Sequence, residues 1–300
     1  MLFMKVAIVG NGTWGRALYS VLSENSADVV FVTKQSLKSK LNTVKIDVLV
    51  LAVPTQAIRE VLEKIGNIGN MIVVNCAKGI ERGTHKFPFQ IVSEKGGKKE
   101  KYFSLIGPSF AGELENKMPT VVNLGHNSEK KYINLVKKLF ETECLEIKVV
   151  HGIAALELAG AFKNIYAIAC GLTTGLGFGM NTRVKVILAA LKEIHNLMKN
   201  LKFRIEDETI PGILGDLILT CNSTESRNYS FGKLIVNFSV EEALRKITTV
   251  EGFYTSDSVA YFEKIGNMKL PLADMVARCV KIENKGILRQ LVMNTITKNT

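Results

Sequence analysis

Lys163 is the single charged residue between Leu158 and Cys170, within Leu-Ala-Gly-Ala-Phe-Lys-Asn-Ile-Tyr-Ala-Ile-Ala-Cys. An ammonium group in so apolar a stretch loses hydration, which lowers its pKa from the ordinary value of about 10.4. A lysine tuned towards neutrality can trade a proton with a reacting oxygen at working pH. The competing reading is a long side chain that snorkels to water. Two other places carry chemistry in the same half of the chain. Gly215-Asp216 sets an acid after a Pro-Gly turn and before Leu217-Ile218-Leu219; the alternative is a helix cap. Glu225-Ser226-Arg227-Asn228 places an arginine between hydroxyl and amide donors, a suitable bidentate phosphate clamp, or else a surface turn with one salt bridge.

A fourth signal lies at the other end. Lys5 to Val9 is a β-branched run that ends in Gly10-Asn11-Gly12-Thr13-Trp14-Gly15, and a helical stretch from Arg16 to Glu24 follows. Between a strand and a helix each glycine has a task. Gly10 permits the tight turn, Gly12 admits a pyrophosphate to the backbone, and Gly15 allows close helix–strand packing. The anion would sit on the free amides of the helix N-terminus. The competing reading is an ordinary glycine-rich turn. A second strand, Val29 to Thr33, ends at Lys34, where an acid would normally meet the ribose hydroxyls. A cation there leans towards the 2′-phosphate of NADP, unless it faces solvent.

The elements that must position these groups change character near residue 150. Further strands are expected at Val48 to Val53, Met71 to Cys76, Phe103 to Ile106 and Thr120 to Leu124. Helices at Gln56 to Lys64 and Ser128 to Phe140 connect them, which argues a doubly wound sheet. Ligands bind beyond the carboxyl ends of such strands, pointing to Pro54-Thr55-Gln56, Lys78-Gly79 and Gly107-Pro108-Ser109. From His151 onward the period is helical: Val184, Ile187, Leu188, Leu191, Ile194, Met198 and Leu201 share one stripe. Ser239 with Glu242 reads as a capping box, and Asp257 to Lys264 and Leu272 to Ile282 continue the helices. Residues 1–150 thus read as a dinucleotide-binding domain and 151–300 as a helical catalytic domain.

Composition narrows the function classes. An apolar content of 47% is ample for a packed core. No apolar run approaches a membrane span, the best being Ile46 to Pro54, and the N-terminus reads as a first strand. Five scattered cysteines without a Cys-x-x-Cys pair, and four dispersed histidines, point to a reducing compartment and to no metal site. A net charge of +11 admits nucleic acid, a membrane surface or anionic small molecules as partners. The densest basic cluster, Lys95 to Lys101, has no interleaved aromatics, which argues against nucleic acid.

Eight ordered blocks carry a resemblance that covers nearly the whole chain. They are the Gly10–Gly15 loop, Leu51-Ala52-Val53-Pro54-Thr55-Gln56, Ala77-Lys78-Gly79-Ile80-Glu81, Gly107-Pro108-Ser109-Phe110-Ala111, Leu158 to Asn164, Gly215-Asp216-Leu217, Ser226-Arg227-Asn228 and Val250-Glu251-Gly252. In this order they resemble bacterial NAD(P)-dependent glycerol-3-phosphate dehydrogenase. The resemblance implies a Rossmann-like N-terminal domain, an all-helical C-terminal domain, NAD or NADP as cofactor, and dihydroxyacetone phosphate and sn-glycerol 3-phosphate as the interconverted pair. It further implies a role in glycerophospholipid synthesis, a cytoplasmic homodimer, and no nucleic-acid partner.

Site roles follow from the same resemblance. Gly10, Gly12, Thr13, Trp14, Gly15, Lys34, Lys78, Ala111, Arg227 and Glu251 would contact the cofactor. Lys78, Gly107, Ser109, Lys163, Asp216, Ser226, Arg227 and Asn228 would line the substrate site. Lys163 would be the acid/base, with Asp216 beside it. The link from Thr33 to Asp47 is shorter than the family's usual segment, and the turn Pro211 to Gly215 is less glycine-rich. A two-domain hydroxyacid reductase and a non-catalytic NAD(P) sensor are the other classes the residues admit.

Overall fold

A computed structural model of the protein describes residues 4–25, 27–33 and 45–298. The chain divides into two compact units. One comprises Met1–Ala77, Lys86–Glu157 and Ile205–Gly212; the other comprises Lys78–His85, Leu158–Arg204 and Ile213–Thr300.

The first unit is built on a sheet of seven strands among the described residues: β1 (Lys5–Val9), β2 (Asp28–Val32), β3 (Val48–Leu51), β4 (Ile72–Asn75), β5 (Tyr102–Ile106), β6 (Thr120–His126) and β7 (Leu145–His151). Their order is β2-β1-β3-β4-β5-β6-β7, parallel throughout except for the antiparallel β5–β6 pair. Every residue of β3, β4 and β5 is buried, the polar Asn75 and Ser104 included, as strands covered on both faces require. Alternate side chains serve opposite faces. Val6, Ile8, Val48, Val50, Val74 and Phe103 pack with Leu18 and Leu22 of α1 (Thr13–Glu24) and with Val136 and Phe140. Ala7, Val9, Leu49, Leu51 and Val73 pack on the other side with Ile58 and Leu62 of α2 (Thr55–Ile65) and with Ile91 of α3 (Pro88–Glu94). Two short helices complete this unit's main elements: α4 (Ala111–Glu115) and α5 (Lys130–Phe140). The order reverses between β1 and β3, so the loop after β1 lies at the switch point where open α/β sheets bind ligands.

β7 is absent from the sequence-based expectation. Its pattern is that of a sheet-edge strand: Leu145 and Ile147 are buried on one face, while on the other Glu146 and Lys148 are exposed and Val150 is buried with Ile106 and Leu156. The broken alternation gives a weaker signal than the buried runs of the central strands.

The second unit is helical in its described residues. It contains most of α6 (Ile153–Gly175), then α7 (Met180–Asn200), α8 (Asp216–Asn222), α9 (Arg227–Leu234), α10 (Val240–Lys246), α11 (Glu251–Ser256), α12 (Val259–Ile265), α13 (Pro271–Cys279) and α14 (Lys285–Lys298). The Ser239–Glu242 capping box is present at the start of α10. Two expectations are corrected here. An 18-residue window of α6 reaches a mean hydropathy of 1.4, so by length and composition this helix could cross a membrane, unlike the run at Ile46 to Pro54. However, 94% of that window is buried within the protein, and α6 is a core helix.

The buried face of α7 follows the expected stripe only in part. Ile187, Ile194 and Met198 are buried as expected, but Val184 and Leu188 are 47% and 62% exposed, and Val186, Ala190, Glu193 and Leu197 also face inward. The cause is polar. The Glu193 carboxylate accepts from Tyr166 Oη at 3.0 Å and from the backbone N–H groups of Leu272 and Ala273 at 2.7 and 3.2 Å, serving the N-terminus of α13. Burial pushes its pKa up to about 7. The free amides of a helix start drew this acid into the core, and apolar residues were left outside.

Candidate active site

In the sheet unit, β1 leads directly into the glycine loop and α1. Gly10 has φ +112°, the left-handed region that favours glycine, and an added Cβ would lie 2.4 Å from Ala52 O. A Cβ on Gly15 would lie 2.1 Å from Gly10 O, so the helix can seat on the loop only without a side chain. Gly12 differs: a Cβ there meets nothing within 4 Å. Gly12 occupies the N-cap without any side-chain cap, and the first helical bond described there is Arg16 N to Gly12 O at 3.1 Å. Tight Gly10 and Gly15 with open space at Gly12, before uncapped first-turn amides, are the features a pyrophosphate needs. The residues fit the cofactor.

Thr13 is exposed, while Trp14 and Ala111 are half-buried and pack on one apolar cluster of the sheet unit. Ser109 Oγ donates to Gly107 O at 3.2 Å. Gly107 is buried, and a Cβ would sit 2.7 Å from Val122 Cα, so strand packing alone demands this glycine. Lys34, the residue on which the lean towards NADP rests, lies outside the described residues. A surface concavity lined by Pro119, Thr120, Cys144 and the carboxylates Glu141, Glu143 and Glu146 contains none of these groups.

In the helical unit, three residues far apart in sequence meet. Asp216 opens α8 directly after the single π turn Pro211–Gly215, and is only 1% exposed. Its Oδ1 accepts from Lys163 Nζ at 2.5 Å, and its Oδ2 accepts from Lys78 Nζ at 2.8 Å. The carboxylate is therefore a shared counter-charge for two ammonium groups, rather than a helix cap. Lys163, on α6, is 6% exposed and does not snorkel. Its ammonium also donates to Thr220 Oγ1 at 2.8 Å, and Thr220 Oγ1 donates to Asp216 O at 2.6 Å. Two of the three N–H groups are thereby held, in a geometry that leaves one proton to give away. Burial pushes the pKa of Lys163 down to about 8; Asp216 works against this, and the neighbouring Lys78 charge adds to it.

A second layer holds this trio. Asn164 Nδ2 donates to Lys78 O at 2.7 Å and to Gly160 O at 3.3 Å. Asn228 Nδ2 donates to Asn164 Oδ1 at 2.9 Å, and Gly252 N donates to Asn228 Oδ1 at 2.8 Å. A Cβ on Gly252 would come within 2.5 Å of Asn164 O, so α11 presses its first turn against the backbone beside Lys163. Glu251, the first residue of that helix, is buried. Asn228, expected to hold a phosphate, thus commits half of its hydrogen-bonding capacity to the protein's own frame. Ser226 is the N-cap of α9, accepting from Tyr229 N at 3.2 Å, and Arg227 beside it is exposed.

Each unit gathers its own set of expected residues: the glycine loop, Gly107, Ser109 and Ala111 in one, and Lys78, Lys163, Asp216, Ser226, Arg227, Asn228 and Glu251 in the other. Thr220 and the framing role of Asn164 were not foreseen. Thr220 carries a legible signal, since it lies four residues after Asp216 and so on the same helix face.

Comparisons with known proteins bear on the family of the chain. The family profile described as NAD-dependent glycerol-3-phosphate dehydrogenase N-terminus matches residues 36–132, and its C-terminus counterpart matches residues 152–287. The chain is 33% identical to glycerol-3-phosphate dehydrogenase [NAD(P)+] of Staphylococcus carnosus, over 89% of this chain and 91% of that one. It is 32% identical to the protein of the same name from Staphylococcus saprophyticus, over 94% and 95%. The crystal structure of glycerol-3-phosphate dehydrogenase from Coxiella burnetii superposes with a TM-score of 0.89 at 25% identity, covering 98% of this chain and 99% of that one. On these grounds the chain belongs to the NAD-dependent glycerol-3-phosphate dehydrogenase family.

Proposed function

We propose that the protein interconverts dihydroxyacetone phosphate and sn-glycerol 3-phosphate with NAD or NADP, and that Lys163 moves the proton. The observation that carries this reading is the buried Lys163 ammonium, held between Asp216 and Thr220 with its pKa near 8. The cofactor supplies or accepts the hydride when bound to the glycine loop at Gly10, Gly12 and Gly15. In the reducing direction Lys163 donates its proton to the ketone oxygen as negative charge develops there. In the oxidising direction the neutral amine takes the hydroxyl proton. Asp216 keeps the ammonium oriented, and Lys78 shares that carboxylate while presenting a second positive charge. Arg227, exposed beside the Ser226 cap, binds the phosphate and places the reacting carbon.

On this reading residues 1–150 take the dinucleotide, apart from Lys78, which belongs to the helical unit and joins residues 151–300 in serving the substrate and its proton chemistry. Five free thiols and the family likeness support a cytoplasmic setting. The family likeness also suggests a homodimer, and Met180, Val184 and Leu188, exposed at four-residue spacing on α7, offer an apolar face for it. Light scattering should give a dimer mass for the wild type and a monomer mass after Val184→Glu/Leu188→Glu; an unchanged dimer would move the interface elsewhere.

The direct test follows reduced-cofactor absorbance on adding dihydroxyacetone phosphate, with NADH and NADPH in parallel. Arg227→Ala should raise KM for dihydroxyacetone phosphate roughly tenfold to a hundredfold, the worth of charge-assisted bonds to a phosphate. Its rate with unphosphorylated dihydroxyacetone should match the wild type. No turnover with either cofactor, in protein that binds one, would overturn the assignment.

A further inference from the structure

We propose that Glu157 is a positioning residue that acts through Asn75 on the Cys76–Ala77 turn, the stretch of backbone from which Lys78 departs. This rests on the reading of Lys78 as part of the active site. Glu157 lies near the start of α6 and is 1% exposed. Its Oε1 accepts from Tyr102 Oη at 2.5 Å, from Ser104 Oγ, and from Asn75 Nδ2 at 3.4 Å. Its Oε2 accepts from Phe89 N at 3.1 Å. The hydrogen bonds described for this carboxylate bring it no cation. A buried carboxylate balanced by neutral donors alone is costly, so a side chain that accepts at both ends must be needed there. Four donors from β4, β5 and α3 converge on it, and an amide would have to present a donor to one of them.

The link to the site runs through Asn75, the last residue of β4 and the register partner of Ser104 on β5. Asn75 Oδ1 accepts from Ala77 N at 3.0 Å and its Nδ2 donates to Ala77 O at 3.0 Å, so this side chain closes a ring on the turn. Which end of the amide faces which way decides whether the ring can form. Glu157 favours the orientation that closes the ring, because a flipped Asn75 would aim its oxygen at the carboxylate. The next residue is Lys78, whose carbonyl is held by Asn164 and whose ammonium rests on Asp216.

Burial pushes the pKa of Glu157 up to about 7, outweighing its four donors. Proton uptake there removes an acceptor site that Asn75 or Phe89 cannot replace by rotating. The titratable groups facing it are Tyr102 on β5 and, next to Tyr102, Cys76 after β4; α3 presents only the Phe89 amide. Tyr102 is pushed well above its ordinary value by burial and by Glu157, so it stays protonated through neutrality.

The test uses the full-length protein, with Glu157→Gln and Asn75→Ala made separately and together. Each single variant should lower kcat for dihydroxyacetone phosphate reduction about tenfold, the scale of a sub-ångström misplacement, with cofactor KM within about twofold. The acid-side limb of the kcat profile near pH 7 should vanish in Glu157→Gln. Amide exchange should quicken in the segment from Asn75 to Gly79 and not across the sheet. The double variant should be no worse than either single one. The inference falls if the pH profile is unchanged, if the kcat loss only tracks the folded fraction, or if the two losses add. Should Glu157→Gln not fold, Asn75→Ala decides alone, and unchanged kcat and exchange in it overturn the inference. The exchange readout needs no substrate, so failure of the reaction assignment is recognised separately.

Discussion

Lys163→Met should lower kcat for dihydroxyacetone phosphate reduction by roughly 10²–10⁴-fold, the usual worth of a placed general acid. Cofactor affinity should stay close to wild type, because the glycine loop belongs to the other unit. Methionine keeps the apolar stem that packs within α6 and removes only the ammonium. Asp216 then retains Lys78 as its ion-pair partner. Single-turnover and steady-state cofactor oxidation would check it; a kcat within a few-fold of wild type would remove Lys163 from the proton step.

The pH dependence has a definite sign. Lys163 titrates near 8, below its ordinary 10.5. Ketone reduction needs the protonated form, so its kcat/KM should fall as pH rises through about 8, and alcohol oxidation should rise over the same range. Stability follows the same shift. The unfolded chain holds this proton more tightly than the folded one, so the contribution is complete above 10.5 and is lost as pH falls through about 8. That slope should be missing in Lys163→Met, as thermal denaturation at pH 7.5 and 9.5 would reveal.

Asp216→Asn has the second largest expected effect. Its two oxygens take one ammonium each, at 2.5 and 2.8 Å, in a setting 1% exposed. An asparagine can accept at one end only and points N–H groups at the other lysine. One buried cation loses its partner and the two ammonium groups repel, a loss on the order of 3–5 kcal/mol by comparison with broken buried pairs. Asp216 is what holds the Lys163 pKa up against burial, so the reduction profile should move to lower pH as well as fall in height. Removing the second charge should relieve part of the damage: Lys163→Met/Asp216→Asn should melt above Asp216→Asn. Additive melting losses, or a reduction profile with an unmoved midpoint, would mean that the carboxylate does not govern Lys163.

Much of this site was legible in the residues. The strand–glycine–helix junction was read correctly at Gly10 and Gly15, because a tight turn and a close helix seat are local geometry. The burial of Lys163 was legible because its helix has apolar neighbours on every side. The Ser239–Glu242 cap was legible for the same local reason. At Gly107 the structure adds a packing requirement against Val122 that the sequence did not reveal. At Asn228 it adds the bracing of Asn164 and Gly252. The inward face of α7 was legible at Ile187, Ile194 and Met198 but not at Val184 and Leu188, because Glu193 serves amides at the start of α13, which hydrophobic periodicity cannot register.

The sequence by itself determined the alternation of strands and helices, the phosphate-ready glycine loop and the identity of the buried lysine. Each follows from period, backbone freedom or solvation within a few residues. Tertiary structure alone decided that Lys78 and Lys163 share one carboxylate, that Thr220 completes the grip, and that Glu157 gathers donors from three elements. Those pairings join residues 53 to 138 positions apart, or depend on which face a helix turns inward. No periodicity in a linear chain encodes them; they arise when buried charges and donors must find partners in a closed interior.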